Sequence, residues 1–221
     1  MQGLRHDAPV GGLTILLDRL ALGERGRGIF FMQADSISAD DVNIMARHGR
    51  GVIGAALTAS RALAIGLSPL TNTHVREGAT RYMASVEAAA CTETGISAAE
   101  RALTLRVLAG IGTHPDDLVA PGHIMPAIVA ESEGADTTLE ALGFHYAARS
   151  NNALAIAWCD ILDNDGNVAD SAHCIALASY LAVPLLLRVG NTAIAADVVE
   201  RSRLARDIDV KSGGLDLGQF A

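Results

Sequence analysis

Residues 92–101 read Thr92-Glu93-Thr94-Gly95-Ile96-Ser97-Ala98-Ala99-Glu100-Arg101 and join a predicted strand, residues 83–90, to a predicted helix, residues 97–108. The apolar spacing changes from an extended run to a helical period across this segment. A strand that ends in such a turn brings hydroxyl and backbone N–H groups to a helix N-terminus, where an anion is bound favourably. Thr92, Thr94 and Ser97 are therefore candidate substrate-binding residues, although Ser and Thr also cap helices that bind nothing.

The same alternation of strand and helix patterns continues along the chain. Strands are predicted over residues 29–32, 52–57, 83–90, 153–158 and 183–188, and helices over residues 13–22, 38–48, 59–65, 97–108, 137–144 and 171–181. No internal repeat or long linker interrupts the pattern. The sequence thus predicts a single α/β or α+β domain over residues 13–205, with a polar lead-in at residues 1–12 and a polar, frayed tail at residues 206–221.

The charge and composition of the chain exclude several classes of protein. A formal net charge of -8 without a basic cluster argues against nucleic-acid binding. The single lysine, Lys211, lies in the polar C-terminal segment, which removes the Schiff-base, pyridoxal-phosphate and Walker-type mechanisms that need a positioned lysine amine. No apolar stretch reaches the length of a membrane span, so no membrane partner is predicted. The three widely spaced cysteines, Cys91, Cys159 and Cys174, fit buried free thiols in a reducing cytoplasm.

Two further segments carry groups suited to proton transfer. The first is Ala120-Pro121-Gly122-His123-Ile124-Met125-Pro126, and the second is Cys159-Asp160. The ordinary pKa of a histidine, about 6.5, suits a proton shuttle at neutral pH. Asp160 closes a predicted strand, and strand ends in open α/β sheets border the ligand crevice. Taken alone, His123 beside an apolar stretch is more simply explained as a structural histidine.

The order of these motifs resembles the 3,4-dihydroxy-2-butanone 4-phosphate synthase family. Besides residues 94–101, the resemblance rests on Gly26-Arg27-Gly28, Arg47-His48-Gly49-Arg50-Gly51, Val86-Glu87-Ala88-Ala89, Pro121-Gly122-His123, Cys159-Asp160 and Asp165-Gly166, and it covers residues 13–195. Members of this family form the four-carbon precursor of riboflavin from ribulose 5-phosphate, using magnesium and releasing formate. The resemblance therefore implies an enzyme with a small-molecule substrate and an α/β fold whose central mixed β-sheet is flanked by helices.

The resemblance also implies which residues act. The family's essential histidine and acidic residue correspond to His123 and Asp160, so these two are the candidate catalytic residues. The family's usual Glu is one methylene longer than Asp160. Arg47 and His48 are candidate substrate-binding residues, which either reach the site or end a helix favourably against its dipole. The resemblance further implies a homodimer with two active sites shared across its interface.

Two segments depart from the family pattern, and both bear on magnesium. The family's acidic loop, of the type Asp-Arg-Glu-x-Glu-Gly-Asp, is replaced by Gln-Ala-Asp-Ser-Ile-Ser at residues 33–38. The family's Arg-x-Gly-His-Thr-Glu-Ala aligns with residues 135–141, where Ala135 replaces the phosphate-binding Arg, Thr138 replaces the metal-binding His, and Glu140 is kept. Thr138 and Glu140 are thus candidate substrate-binding residues. No metal-binding residue is predicted, and magnesium is left as a cofactor without its family ligands.

Three functions fit the sequence. The first is a diverged enzyme that enolises a small sugar phosphate or hydroxyketone by acid/base catalysis through His123 and Asp160, in a specialised biosynthetic pathway. The second is an authentic synthase that has kept the parental reaction. The third is a catalytically silent homologue that acts as a binding or partner subunit. Retention of His123 together with a carboxylate at position 160 favours an enzyme, because a silent subunit has no physical need for that pair.

Overall fold

A computed structural model describes residues 12–18, 27–70, 80–132, 138–189 and 192–195, together with Phe220. The predicted lead-in, residues 1–12, and the predicted tail, residues 206–221, lie outside this part except for Gly12 and Phe220. Phe220 is buried, and its ring lies 4.9 Å from the ring of His173 and 5.6 Å from that of Tyr180. Phe220 therefore packs on the domain, and the extent of the predicted tail stays a prediction.

The described residues form a mixed β-sheet with helices on both faces. The strands are β1 (Thr14–Asp18), β2 (Gly28–Gln33), β3 (Arg50–Thr58), β4 (Arg81–Tyr82), β5 (Val86–Ala88), β6 (Leu118–Val129), β7 (Ala155–Ile161), β8 (Leu185–Val189) and β9 (Thr192–Ala195). The helices are α1 (Ala39–Ile44), α2 (Ala59–Ala64), α3 (Ala98–Ala109), α4 (Leu139–Asn151) and α5 (Ser171–Tyr180). This arrangement confirms the predicted α/β class with a central mixed sheet. Of the helices described, none is long and apolar enough to span a bilayer.

The strand order in the sheet is β4-β6-β3-β7-β2-β1-β8-β9, and β5 pairs with β6 beside this path. The pairs β3–β6 and β1–β8 are parallel, and the other pairs are antiparallel. β3 thus lies between β6, which carries His123, and β7, which carries Asp160. The two candidate catalytic residues thus lie on the two strands that flank β3.

The two faces of the sheet are covered unequally. Buried side chains of α1, α2, α3 and α5 join one apolar cluster, and those of α4 join the cluster on the other face. α4 packs on β2 and β7, while the beginnings of β3 and β6 stay open to solvent on its face. Val52 on β3 is 56% exposed as a result. The α4 face therefore combines a covered half with an open half, and the candidate site lies where the two meet.

Residues 13–22 were predicted as a helix, and this prediction is wrong because residues 14–18 form β1. β1 lies inside the sheet between β2 and β8, and both of its faces are covered. Ile15 and Leu17 join one apolar cluster and Leu16 joins the other. A strand buried on both faces shows a continuous apolar run instead of an alternation, and such a run does not distinguish strand from helix.

Candidate acid/base site

His123 and Asp160 flank β3 at the same level of the sheet. Gly54 on β3 pairs with Met125 on one side and with Trp158 on the other. His123 lies two residues before Met125 on a parallel neighbour, and Asp160 lies two residues after Trp158 on an antiparallel neighbour. Both are displaced in the same direction along β3. Since strands are spaced about 4.8 Å apart, the two backbones are roughly 10 Å apart.

Both side chains point to the α4 face of the sheet. Their neighbours in sequence, Ile124, Cys159 and Ile161, are buried in the cluster on the opposite face, and side chains alternate along a strand. Ile53 also lies in that opposite cluster, so Val52 points to the α4 face between the two candidates. His123 and Asp160 are 41% and 29% exposed. An acid/base pair on one face, separated by one strand and open to solvent, leaves room for a small molecule.

His123 is held by a carboxylate. Its Nδ1 lies 3.1 Å from Glu87 Oε2, and Glu87 belongs to β5, which pairs with β6. A carboxylate at Nδ1 favours a proton on that nitrogen and leaves Nε2 as the proton acceptor, as in carboxylate–histidine pairs generally. The arrangement fixes both the orientation and the tautomer of the imidazole. Glu87 belongs to one of the sequence motifs, but its role as the partner of His123 was not predicted.

Gly95 joins the Thr-rich segment to the His123–Glu87 pair. Its φ is +74°, a conformation that favours glycine, and a Cβ at this position would lie 1.8 Å from Glu87 Oε2 and 3.1 Å from His123 Nδ1. The segment that leads into α3 therefore runs directly against the pair. This contact explains why the turn requires glycine at this position.

The backbone amides of residues 92–95 already bind a carboxylate of the same chain, that of Glu100. The Glu100 carboxylate accepts hydrogen bonds from the N–H groups of Thr92, Glu93 and Gly95 at 2.9–3.0 Å. These bonds, that of Glu93 first, lower the pKa of Glu100 below its ordinary value. Ser97 caps α3 by accepting a bond from Glu100 N at 3.2 Å. The predicted amide nest is thus filled, and substrate binding by Thr92, Thr94 and Ser97 stays a prediction for their side chains; those of Thr92 and Thr94 are exposed.

Asp160 is held by a guanidinium group. Arg27 Nε lies 2.9 Å and Nη2 lies 2.8 Å from Asp160 Oδ1, and Nη2 also bonds Glu140 Oε1 at 2.5 Å. Glu140 is fully buried on α4, and Thr138 caps that helix by accepting a bond from Ala141 N. Burial alone would lower the pKa of Arg27, but the charges of Glu140 and Asp160 outweigh it and hold that pKa above its ordinary value. Glu140 therefore pairs with Arg27, which was not among the candidate site residues predicted from the sequence.

Tyr82 completes the surroundings of Asp160. Its ring centroid lies 6.3 Å from that of Trp158, which is fully buried two residues before Asp160. Burial, followed by the charges of Glu140 and Asp160, raises the pKa of Tyr82 above its ordinary value, and Arg27 opposes the rise. The pKa of Tyr82 thus depends on burial and on the net charge of Arg27, Glu140 and Asp160.

Arg47 and His48 lie in a π-helical turn, Met45–Gly49, that follows α1. The His48 ring lies 6.0 Å from that of Tyr180 on α5, a helix of the opposite face. Partial burial, followed by the charges of Arg47 and Arg50, lowers the pKa of His48. Of the two interpretations of this pair, its position fits the end of a helix better than a contact with His123 or Asp160.

The described residues do not fit a magnesium ion. They contain no group of three or more His, Cys, Asp or Glu side chains that could hold a metal. Glu140 and Asp160 both direct an oxygen at Arg27, and Asp41 is engaged in capping α1 with Ser38. Cys159 and Cys174 are buried, which raises the pKa of each thiol to about 12 and keeps it protonated. Magnesium requires several oxygen ligands in octahedral geometry, and these side chains do not supply them.

The fold and the site together define an α/β protein in which a histidine and a carboxylate lie on one face of a mixed sheet. The sequence model of the 3,4-dihydroxy-2-butanone 4-phosphate synthase family matches residues 6–188. The chain therefore belongs to this family, as its motifs predicted.

Individual relatives give the extent of the similarity. The 3,4-dihydroxy-2-butanone 4-phosphate synthase of Pseudomonas aeruginosa is 30% identical over 182 residues, which are 80% of this chain and 48% of that protein. The solved two-domain synthase RibBX of A. baumannii has a TM-score of 0.70 at 26% identity, over 79% of this chain and 51% of that one. A solved synthase in complex with two magnesium ions has a TM-score of 0.65 at 23% identity, over 93% and 94%, and shows a shared fold. The chain spans about half the length of the curated relatives that it matches first.

Proposed function

We propose that this protein is an acid/base enzyme that enolises a small sugar phosphate or hydroxyketone, with His123 and Asp160 as its catalytic residues. The observation that carries the proposal is that each residue is held by a charged side chain. Glu87 holds the imidazole of His123, and Arg27 holds the carboxylate of Asp160.

The proposed step moves one proton from carbon to a side chain and another from a side chain to oxygen. Asp160, a carboxylate beside Arg27, removes a proton from the carbon next to the substrate carbonyl, and His123 in its protonated form gives its Nε2 proton to the carbonyl oxygen, so the product is an enediol. A spacing of roughly 10 Å between the two backbones, less the reach of the side chains, accommodates a molecule of three to five carbons. His123 acts through Nε2, since Glu87 occupies Nδ1.

The residues around the site also indicate how the substrate is bound and how the chain assembles. The exposed hydroxyl groups of Thr92 and Thr94 lie on the segment that runs against His123, where they are placed to bind substrate oxygens. Val52 on β3 and Val119 on β6 are exposed at the beginnings of these strands, and such apolar side chains suit the interface of a homodimer. We infer that a second copy of the chain covers these side chains and that the protein works in the cytoplasm.

A second candidate is the authentic parental reaction, which is the formation of dihydroxybutanone phosphate and formate from ribulose 5-phosphate. The family match over residues 6–188 favours it. The two candidates share the enolisation step and differ in the later fate of the enediol. Only the second releases formate.

Formate release separates the two candidates. The purified protein is incubated with ribulose 5-phosphate, with and without magnesium, and formate is measured together with exchange of substrate carbon-bound hydrogen in deuterated water. Exchange without formate supports the diverged enzyme, and formate supports the parental reaction. Neither signal over a panel of small ketoses and hydroxyketones, or full activity of a His123→Ala variant, refutes acid/base catalysis by this pair.

A further inference from the structure

Arg27 is bonded to two carboxylates that come from different parts of the chain. Its Nη2 bonds Glu140 on α4, 113 residues away, and its Nε bonds Asp160 on β7, 133 residues away. Arg27 itself directly precedes β2, the strand that pairs with β7. The Arg27 guanidinium thus connects the start of β2 with α4 and β7, and it does so at Asp160, a candidate catalytic residue.

Glu140 has no other compensation in the part of the chain that the structure describes. Its side chain is fully buried, and its Oε2 has no hydrogen-bond partner there. An isolated buried carboxylate costs several kcal/mol or more, roughly, so a cation must accompany it. Arg27 is the cation that the structure places there, at 2.5 Å.

A divalent ion placed where the Arg27 guanidinium lies would meet the same two carboxylates. The solved synthase that contains two magnesium ions shares the fold of this chain. In this chain Glu140 and Asp160 are already bonded to a group that carries one fixed positive charge and cannot lose its proton at any physiological pH. Both contacts from Arg27 to Asp160 go to Oδ1, which leaves Oδ2 clear of the guanidinium.

We propose that Arg27 is the built-in cation of this site, a positioning residue that neutralises Glu140 and fixes Asp160 with Oδ2 directed to the substrate. This inference rests on the proposed catalytic role of Asp160. The proposal also predicts that the site does not bind a divalent ion through Glu140 and Asp160, because both carboxylates are already bonded to Arg27.

The test compares Arg27→Met with Arg27→Lys, which keeps the charge but loses the planar fork. The first readout is the titration of Tyr82, followed by ¹³C NMR of labelled tyrosine and assigned with Tyr82→Phe. Arg27 lowers the pKa of Tyr82 against the effect of Glu140 and Asp160. Arg27→Met is therefore expected to raise that pKa further, and Arg27→Lys to raise it less. An unchanged titration in Arg27→Met overturns the proposal.

The second readout is manganese binding by electron paramagnetic resonance, with Mn²⁺ as the probe. Glu140→Gln and Asp160→Asn are expected to leave the Mn²⁺ affinity of the protein unchanged. A loss of tenfold or more in either variant shows that these carboxylates bind a metal, and it overturns the proposal. Arg27→Lys serves if Arg27→Met does not fold, because a lysine still satisfies Glu140.

The third readout is turnover, if the protein turns over a substrate. Arg27→Met is expected to lower kcat about 100-fold with little change in KM, because a base displaced by about 1 Å loses that much, and Arg27→Lys is expected to recover part of the loss. Equal effects on kcat in the Met and Lys variants contradict a role for the charge. If no substrate is turned over, the proposed function fails, while the tyrosine and manganese readouts still decide the role of Arg27.

Discussion

His123 lies at an exposed part of the sheet and is held by one carboxylate, whereas Asp160 lies beside α4 and is held by a guanidinium that it shares with a buried carboxylate. We call the first group, His123 with Glu87 and Gly95, the His123 region, and the second, Asp160 with Arg27 and Glu140, the Asp160 region. Glu87 is 20% exposed and Glu140 is fully buried. The two regions fix their acid/base residues with partners of opposite charge and very different solvation.

Because of this difference in solvation, substitutions in the two regions should differ in their effects on activity and on stability. A partly exposed pair contributes little to folding, because water and salt screen it, so its loss is felt mainly in geometry. Breaking a buried pair leaves an uncompensated charge in the interior, and that costs both folding energy and geometry. We therefore expect loss of the charged contacts in the Asp160 region to affect stability and turnover together, and loss of the contact between Glu87 and His123 to affect mainly turnover.

The largest expected effect is that of Arg27→Met on stability. The substitution leaves the buried Glu140 without its cation, and we expect the free energy of unfolding to fall by about 3 kcal/mol in urea denaturation. The double variant Arg27→Met/Glu140→Gln should recover at least about 1 kcal/mol of this loss, because no buried charge remains. Arg50→Met is the matched control: this exposed Arg bonds the loop at Asp163 and Asn164, and its loss should cost about 0.5 kcal/mol or less. A similar loss in both single variants would remove the contrast between the regions.

Gly95→Ala should have the second largest effect, and it should fall on activity. The new methyl group would displace Glu87 from His123, so kcat is expected to drop about 30-fold. Gly166→Ala controls for backbone strain, because Gly166 has a φ of +80° and open space where its Cβ would be. Both variants should lose about 1 kcal/mol of stability from the left-handed conformation. Equal turnover in the two variants would show that the contact between Gly95 and the pair has no role in catalysis.

Glu87→Gln tests the pair itself with a smaller change. The amide keeps the shape of the side chain but no longer favours a proton on Nδ1, so we expect kcat to fall about tenfold and the ¹⁵N shifts of His123 to report a mixture of tautomers. Stability should change by about 0.5 kcal/mol or less. The exposed pair His114–Asp116 offers a control in Asp116→Asn, which should alter neither turnover nor the His123 signals. A stability loss as large as that of Arg27→Met would contradict the distinction between the two regions.

Local patterns in the sequence predicted those parts of the fold that local chemistry determines. The helix predicted from residue 38 begins with Ser38 and Asp41 as a capping box, and Ser97 caps α3. The apolar runs at β2, β3, β7 and β8 were recognised as strands, since their lengths and flanking turns leave little alternative. In the site, the family motifs predicted His123 and Asp160, which the structure places on one sheet face; their catalytic role stays a prediction.

The parts that were missed depend on contacts between distant segments. β6 was not predicted because its first half is exposed and shows no apolar alternation, and its register is set by β3 and β5. Arg27 and Glu87 stood in recognised motifs, yet a single sequence does not state which charged residues meet across a sheet. The amide nest was recognised as an anion site, but its occupant, Glu100, lies three residues after the N-cap Ser97, a spacing at which a Glu commonly bonds amides at the start of a helix.

Tyr82→Phe should have the smallest effect, confined to alkaline pH and to the Asp160 region. The pKa of Tyr82 is raised by burial and then by Glu140 and Asp160, so the folded protein keeps the phenol protonated where the unfolded chain ionises it. The contribution of Tyr82 to the free energy of unfolding is therefore fully present below about pH 10, and it is lost as the pH rises above that value. Urea denaturation between pH 8 and pH 11 should thus show a shallower loss of stability in Tyr82→Phe than in the wild type. Tyr180→Phe, at an exposed position on α5, serves as the control, because the buried thiols of Cys159 and Cys174 affect all three proteins equally. A wild-type slope in Tyr82→Phe would mean that the phenol does not sense the charges around Asp160, and the contrast in solvation between the two regions would lose its support.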